Sequence, residues 1–110
     1  MAFRAAVLVM ALDGNPQKHR TTIKTPRIEL TTVLAELWNF DQIASTCKEL
    51  VDNEGVQSII LCPGCTHEVV AKVANAVGKG VAVSVARGDV PSTMLTGEIL
   101  GKEGWLPGHH

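Results

Sequence analysis

Seven consecutive residues hold most of the reactive side chains in this sequence: Cys62-Pro63-Gly64-Cys65-Thr66-His67-Glu68. Two thiols in a Cys-x-x-Cys arrangement at a helix start suit thiol–disulfide exchange, because a cysteine near a helix N-terminus ionises more readily and a second one can resolve a mixed disulfide. A tryptophan directly before the motif, usual in dithiol redox sites, is absent here, since Ile60 and Leu61 stand there. The same cysteines also fit a packing role, with Cys62 closing a strand and Cys65 opening a helix. With His67 and a distant His19 they would make a set that zinc accepts. However, Cys62, Cys65 and His67 lie in one tight turn and no second Cys or His pair stands at zinc-site spacing, so no metal and no other cofactor is assigned. Cys47 falls in an apolar helical stripe and reads as inert packing.

His67 and His19 are the candidates for proton transfer. Glu68 is a poor orienter for His67, because adjacent helix residues do not face each other; it complements the helix dipole instead. Gly64 permits close backbone approach, and the amides of Gly64, Cys65 and Thr66 favour a bound anion. Arg87 is suited to a carboxylate or phosphate, or to pairing with Asp13 or Asp89. Asp13 completes the candidate ligand-binding set of Gly64, Cys65, Thr66 and Arg87.

The elements that must position these residues follow from the apolar pattern. Phe3 to Ala11 is nearly all apolar without alternation, as in a strand buried on both faces. Asp13-Gly14-Asn15-Pro16 is a turn, with Asn15 and Pro16 opening a short helix through His19 and Arg20 that Thr25-Pro26 breaks. Ile28 to Leu34 reads as a Thr-rich edge strand. Asn39-Phe40-Asp41-Gln42 reads as a capping box with a Trp38–Ile43 staple. It opens a helix bearing Ile43, Ala44, Cys47, Leu50 and Val51 on one face and ending near Gly55. A strand over Val56–Leu61, a helix over Thr66–Val77 and a strand over Val81–Ala86 follow. A short helix over Pro91–Leu100 and an extended tail over Gly101–Pro107 carrying Trp105 close the chain. Alternation of strands and helices predicts an α/β fold: one small domain over 1–110, with a mainly parallel four-stranded sheet and crossover helices, flavodoxin-like or half-barrel-like. Residues 91–110 form a C-terminal arm or tail expected to reach a neighbouring subunit, hence a homo-oligomer.

At 110 residues and 45% hydrophobic composition the chain can bury one core without staples. Its net charge of −1, with no basic or acidic cluster, excludes nucleic acid and anionic membrane as partners. Three cysteines, an odd number, suit a reducing cytoplasm better than a secreted disulfide framework. The apolar run from Ala5 to Leu12 after Arg4 is too short for an export signal or a bilayer span and is assigned to the first strand. Gly108-His109-His110 is given no functional weight.

The segments Asp13-Gly14-Asn15-Pro16-Gln17-Lys18-His19-Arg20 and Leu61-Cys62-Pro63-Gly64-Cys65-Thr66-His67-Glu68, with the Val-rich helix and strand that follow, resemble a family of small bacterial and archaeal proteins of unknown function. The resemblance covers most of the chain and implies a stand-alone α/β domain, while bringing no activity to carry over. In the family pattern an aromatic residue can stand at the position of Cys65, which shifts weight from the paired thiols to Gly64, Thr66 and His67. The function expected from the residues is a cytosolic oligomeric domain that binds a small anionic metabolite at the carboxyl rim of its sheet. A thiol-redox protein using Cys62 and Cys65, or a structural oligomer subunit without catalysis, is the alternative.

Overall fold

The computed structural model describes residues 1–106. Strand β1 (Phe3–Ala11) occupies the middle of the sheet, with β3 (Ile28–Glu36) on one side and β4 (Ser58–Leu61) on the other, both parallel to it. Strand β5 (Ala82–Val85) extends the sheet beyond β4, and β2 (Arg20–Lys24) closes the far edge antiparallel to β3. The order is β2-β3-β1-β4-β5, so the sheet has five strands and is mixed where four mainly parallel ones were expected. Helices α1 (Phe40–Glu54) and α2 (His67–Val77) make the crossovers, and α3 (Val90–Lys102) follows the last strand.

The unexpected strand lies where a short helix was expected. Asn15 opens one helical turn, accepting at its carbonyl from Lys18 N and His19 N at 3.0 and 2.7 Å and at Oδ1 from Gln17 N at 3.0 Å. His19 Nδ1 accepts in return from Asn15 N at 3.0 Å, so the turn closes on itself. The β-branched run Thr21-Thr22-Ile23 then favours strand over helix. Thr25 Oγ1 accepts from Arg27 N and Ile28 N and folds the chain back into β3. The Ile28 strand is therefore an interior strand, and β2 takes the edge. Arg20, expected in the short helix, instead begins β2 and ties it to α1: its guanidinium meets Glu49 at 3.0 Å and Glu54 at 2.8 Å and donates to Pro16 O. The hydrogen bonds and charge of Glu49 and Glu54 raise the Arg20 pKa further.

Register sorts the core. Ala6, Leu8 and Met10 of β1 align with Thr31, Val33 and Ala35 of β3, and with Ile59 and Leu61 of β4. On them pack Ile43, Cys47 and Leu50 of α1 and Val69 and Val73 of α2. Both crossovers step in the same direction along the sheet, and a right-handed crossover then puts both helices on the same face. The other face is formed by the alternate residues: Phe3, Ala5, Val7 and Val9 of β1, with Ile28, Leu30, Thr32 and Leu34 of β3. Thr21 and Ile23 of β2, Ser58 and Ile60 of β4, and Ala82 and Ser84 of β5 continue it. Ile23 is 60% exposed, Phe3 48% and Ile60 41%.

Helix α1 starts at Asn39, whose Oδ1 accepts from Gln42 N at 3.1 Å as expected. The Gln42 side chain does not complete a capping box; its Oε1 accepts from Glu36 N at 2.7 Å, tying the helix to the end of β3. Trp38, half-exposed beside the start of the helix that buries Ile43, meets Phe40 edge-on, with ring centroids 6.4 Å apart. Helix α3 is capped by Asp89, accepting from Ser92 N at 2.8 Å. It includes Gly101 and Lys102, which were expected in an extended tail. Gly104 at φ 79° terminates it: Trp105 N donates to Leu100 O and Gly104 N to Gly101 O, the paired bonds of a left-handed glycine cap. The chain thus turns Trp105 back toward α3; Pro107 and the terminal histidines lie outside the described residues.

Two glycines separate close packing from open helix. A Cβ on Gly14 would collide with the backbone carbonyl of Ala35, whereas one on Gly97 meets nothing within 4 Å. Gly14→Ala is expected to cost roughly 1–3 kcal/mol by forcing β1 and β3 ends apart, while Gly97→Ala should gain up to about 1 kcal/mol in α3. Urea unfolding of both variants checks the pair.

Candidate strand-end cleft

The strand ends and the turn after β4 shape the site. Cys62 N donates to Leu8 O at 3.0 Å, which extends the β1–β4 ladder by one bond and fixes where the turn begins. Cys65 N donates to Cys62 O at 3.0 Å and closes it. Thr66 caps α2, its Oγ1 accepting from Val69 N at 3.4 Å. Cys65 is fully buried in the core and Cys62 is half-buried, with the sulfurs 3.9 Å apart. Gly64 lies where a Cβ would press on Met10 Cε at 2.9 Å, so the turn sits directly on the end of β1.

The two thiols ionise very differently. The Cys65 thiol donates to Cys62 and, with backbone donors from Met10, Gly64 and Cys65, outweighs burial and lowers the Cys62 pKa to about 6. Cys65, as the donor and under burial, is raised. Cys47, buried among apolar side chains of α1, is pushed up to about 12.

A cavity of about 370 Å³ opens against this turn. Its floor is Val9, Met10 and Cys62 to Gly64; Leu37 and Trp38 wall one side, and Thr96, Leu100, Trp105 and Leu106 the other. The lining is overwhelmingly apolar. Trp38 is held at φ 64°, a left-handed conformation that costs a non-glycine residue on the order of 1–2 kcal/mol. Behind the turn, a hollow of about 270 Å³ lies between Pro63-Gly64 and the first turns of α3. Arg87 reaches over the same turn, its Nη1 donating to Pro63 O at 3.1 Å rather than pairing with Asp13 or Asp89.

The candidate residues are distributed as follows. Gly64 lines the cleft, and Arg87 adjoins it through Pro63. Thr66 and the Cys65 amide are engaged within the turn and cap. Asp13 is exposed in the turn after β1, and His67 is exposed at the first residue of α2; neither lines the cleft. His19 lies at the β2 edge, in a separate shallow hollow with Thr21, Thr32 and Leu34. Among the described residues no three His, Cys, Asp or Glu side chains gather to hold a metal, so Cys62, Cys65, His67 and His19 do not form one ligand set. Sequence reading missed the walls supplied by Trp38 and Trp105. The signal available was that the chain's two tryptophans fall just after a strand and just after the last helix.

Fold and cleft together define a small α/β domain with an apolar cleft at the carboxyl ends of its parallel strands. The chain belongs to the Family of unknown function (DUF6506), whose model matches residues 3–98. That match spans β1 through most of α3, so it includes the turn and every residue of the cleft except Leu100, Trp105 and Leu106. No curated protein and no solved structure matches the chain. Among the described residues, no helix is long and apolar enough to cross a membrane.

The ionisation pattern is directly measurable. With its pKa lowered to about 6, Cys62 should be alkylated by iodoacetamide with a pH midpoint near that value, well below the ~8.5 of a free cysteine. Cys65→Ala removes the donor and should move that midpoint upward. Cys47 should stay unmodified in the folded protein. A Cys62 midpoint at the free-cysteine value would contradict the hydrogen-bonded thiolate.

Proposed function

We propose that this protein binds a small organic anion with an apolar body in the strand-end cleft. The observation that supports it is the 370 Å³ cavity bounded by Trp38, Leu100 and Trp105 and floored by the Cys62–Gly64 turn. Its size and lining suit a small ligand, since pockets of this kind are mostly apolar with a few polar groups that fix orientation. Arg87 is the polar partner. Its guanidinium is anchored at Pro63 O by one nitrogen, and its fork is suited to a carboxylate or phosphate arriving beside the turn. The strained backbone at Trp38 fits this role, because such strain collects at ligand clamps. His19 and His67 are left outside the binding step. With three free cysteines, a reducing cytoplasm is the setting in which the cleft would work.

The chain's two tryptophans and absence of tyrosine supply a built-in probe, because both tryptophans line the cleft. Titration with a panel of small aliphatic and aromatic carboxylates and phosphates should change the intrinsic fluorescence saturably for at least one compound. Arg87→Ala should weaken that hit by about tenfold or more, the scale of a lost charged hydrogen bond. Trp38→Gly should abolish the response without unfolding the domain, since glycine accepts φ 64°. A panel with no saturable change, or a hit unaffected by both substitutions, would remove the proposal.

A second reading rests on the thiol geometry. Cys62, accessible at the cleft floor, would attack a low-molecular-weight or protein disulfide, releasing one thiolate and forming a mixed disulfide. Cys65, 3.9 Å away, would then displace the second thiol and leave a Cys62–Cys65 disulfide. Cys65→Ser should then accumulate the mixed disulfide on incubation with oxidised glutathione, seen by mass spectrometry. Absence of both that adduct and an internal disulfide in the parent chain would exclude exchange.

A further inference from the structure

The two thiols of the strand-end turn differ in access as well as in ionisation. Cys65 is fully enclosed, so a reagent from solution does not reach it, whereas Cys62 is half-buried and lines the cleft between the walls of Trp38 and Trp105. Burial therefore assigns the roles. Cys62 meets the incoming reagent, and Cys65, its sulfur 3.9 Å from that of Cys62, answers it. Backbone donors from Met10, Gly64 and Cys65 and the Cys65 thiol itself gather on the Cys62 sulfur and favour its thiolate. Cys47 is enclosed in the core beneath α1 and takes no part.

A thiolate with a second thiol beside it is matched to a two-electron oxidant, and the cleft selects among them. Oxidised glutathione carries several charges, but among the described residues the lining holds no acidic or basic side chain. Hydrogen peroxide is small and polar and gains nothing from apolar walls. A hydroperoxide on a hydrocarbon body fits both parts of the site: the O–O bond meets the floor at Cys62 while the body lies against the tryptophans and Leu100. The volume of 370 Å³ stands at the lower end of the ~300–1,000 Å³ of small-molecule pockets, which suits a small body of this kind.

We propose that the cleft carries a thiol peroxidase activity toward small organic hydroperoxides, with Cys62 as the nucleophile and Cys65 as the resolving thiol. The activity shares the cleft with the anion reading but uses neither its ligand nor Arg87. The Cys62 sulfur attacks the hydroxyl-bearing oxygen of R–O–O–H. An S–O bond forms, the O–O bond breaks, and the hydroperoxide's own proton passes to the departing alkoxide. A neutral alcohol leaves and Cys62 remains as a sulfenate. The Cys65 thiol then gives its proton to the sulfenate oxygen, and its sulfur displaces that oxygen as hydroxide, closing a Cys62–Cys65 disulfide. Two electrons have passed from the two sulfurs to one hydroperoxide. A dithiol reductant returns them by exchange at the accessible Cys62 sulfur.

The reduced full-length chain is mixed with cumene hydroperoxide or hydrogen peroxide, and peroxide loss is followed colorimetrically. One cumene hydroperoxide should be consumed per chain, at least about tenfold faster than hydrogen peroxide because the walls take up its phenyl body. Mass spectrometry should show the loss of two hydrogens and a Cys62–Cys65 link, with Cys47 unmodified. Cys62→Ser should abolish consumption. Cys65→Ala, with folding checked by circular dichroism, should stop at a Cys62 sulfenic acid that dimedone traps. Trp38→Gly, which opens one wall, should narrow the gap between the two peroxides. The proposal is overturned by a parent chain that consumes no cumene hydroperoxide, by equal rates with the two peroxides, or by consumption that survives Cys62→Ser. Faster oxidation by oxidised glutathione than by cumene hydroperoxide also overturns it and returns the pair to disulfide exchange. Peroxide consumption without any saturable response to carboxylates or phosphates upholds the peroxidase and removes only the anion reading, and the reverse result removes only the peroxidase.

Discussion

The direction of the two crossovers governs this structure. From β3 the chain passes over β1 to β4, and from β4 onward to β5, always toward the same edge. Because β–α–β connections are right-handed, α1 and α2 have no choice of side. Everything apolar that the two helices can bury goes to one face, where Leu8, Ile59, Leu61 and Val33 are fully enclosed. The opposite face receives only the alternate residues of the same strands. The uneven burial is therefore a product of topology, not of composition.

The same topology builds the cleft. Parallel strands deliver their following loops to one rim, and β1, β3 and β4 end there together. Helix α2 begins at that rim under its Thr66 cap, which brings Cys65 into the core and leaves Cys62 at the cleft floor. One turn thereby separates two chemically identical side chains by environment. The inner thiol donates, the outer one accepts, and backbone amides reinforce the outer one's negative charge. The glycine cap of α3 then returns Trp105 to the rim and completes the cleft wall.

Much of this was legible in the sequence, and the losses have physical causes. The unbroken apolar run of β1 marked a central strand, because only burial on both faces removes alternation. Asn39, Thr66 and Gly55 marked helix ends, since capping depends on a single side chain or a single glycine. The segment from Asn15 to Lys24 was misread because Asn15-Pro16 is a true local helix start; the turn forms, but the β-branched residues after it pair with β3, a contact the local sequence cannot reveal. The place of Ile28–Glu36 in the sheet was misjudged for the same reason: a polar Thr-rich strand looks like an edge until β2 is known to flank it. At the site, Gly64, Cys62 and Arg87 converge as their positions after β4 and β5 implied. His19 does not, because the antiparallel β2 carries it to the far edge. Trp38 and Trp105 could not be brought together by spacing alone, since their meeting depends on a strained residue at one end and a helix cap at the other.

The central position of β1 has a consequence for how the chain acquires its fold. It precedes both of its neighbours in the chain, which begin at Ile28 and Ser58, and the hairpin made in between, β2–β3, supplies only one of them. Closing the β1–β4 pair requires about fifty intervening residues, so the most apolar strand waits longest for its partner while α1 is still forming. Pairings so distant in sequence slow folding and lengthen the interval in which apolar surface is open to wrong associations. A chain without Ser58 to Leu61 presents Ala5 to Met10 with one edge bare, so the arrival of β4 is the step that closes the centre of the sheet.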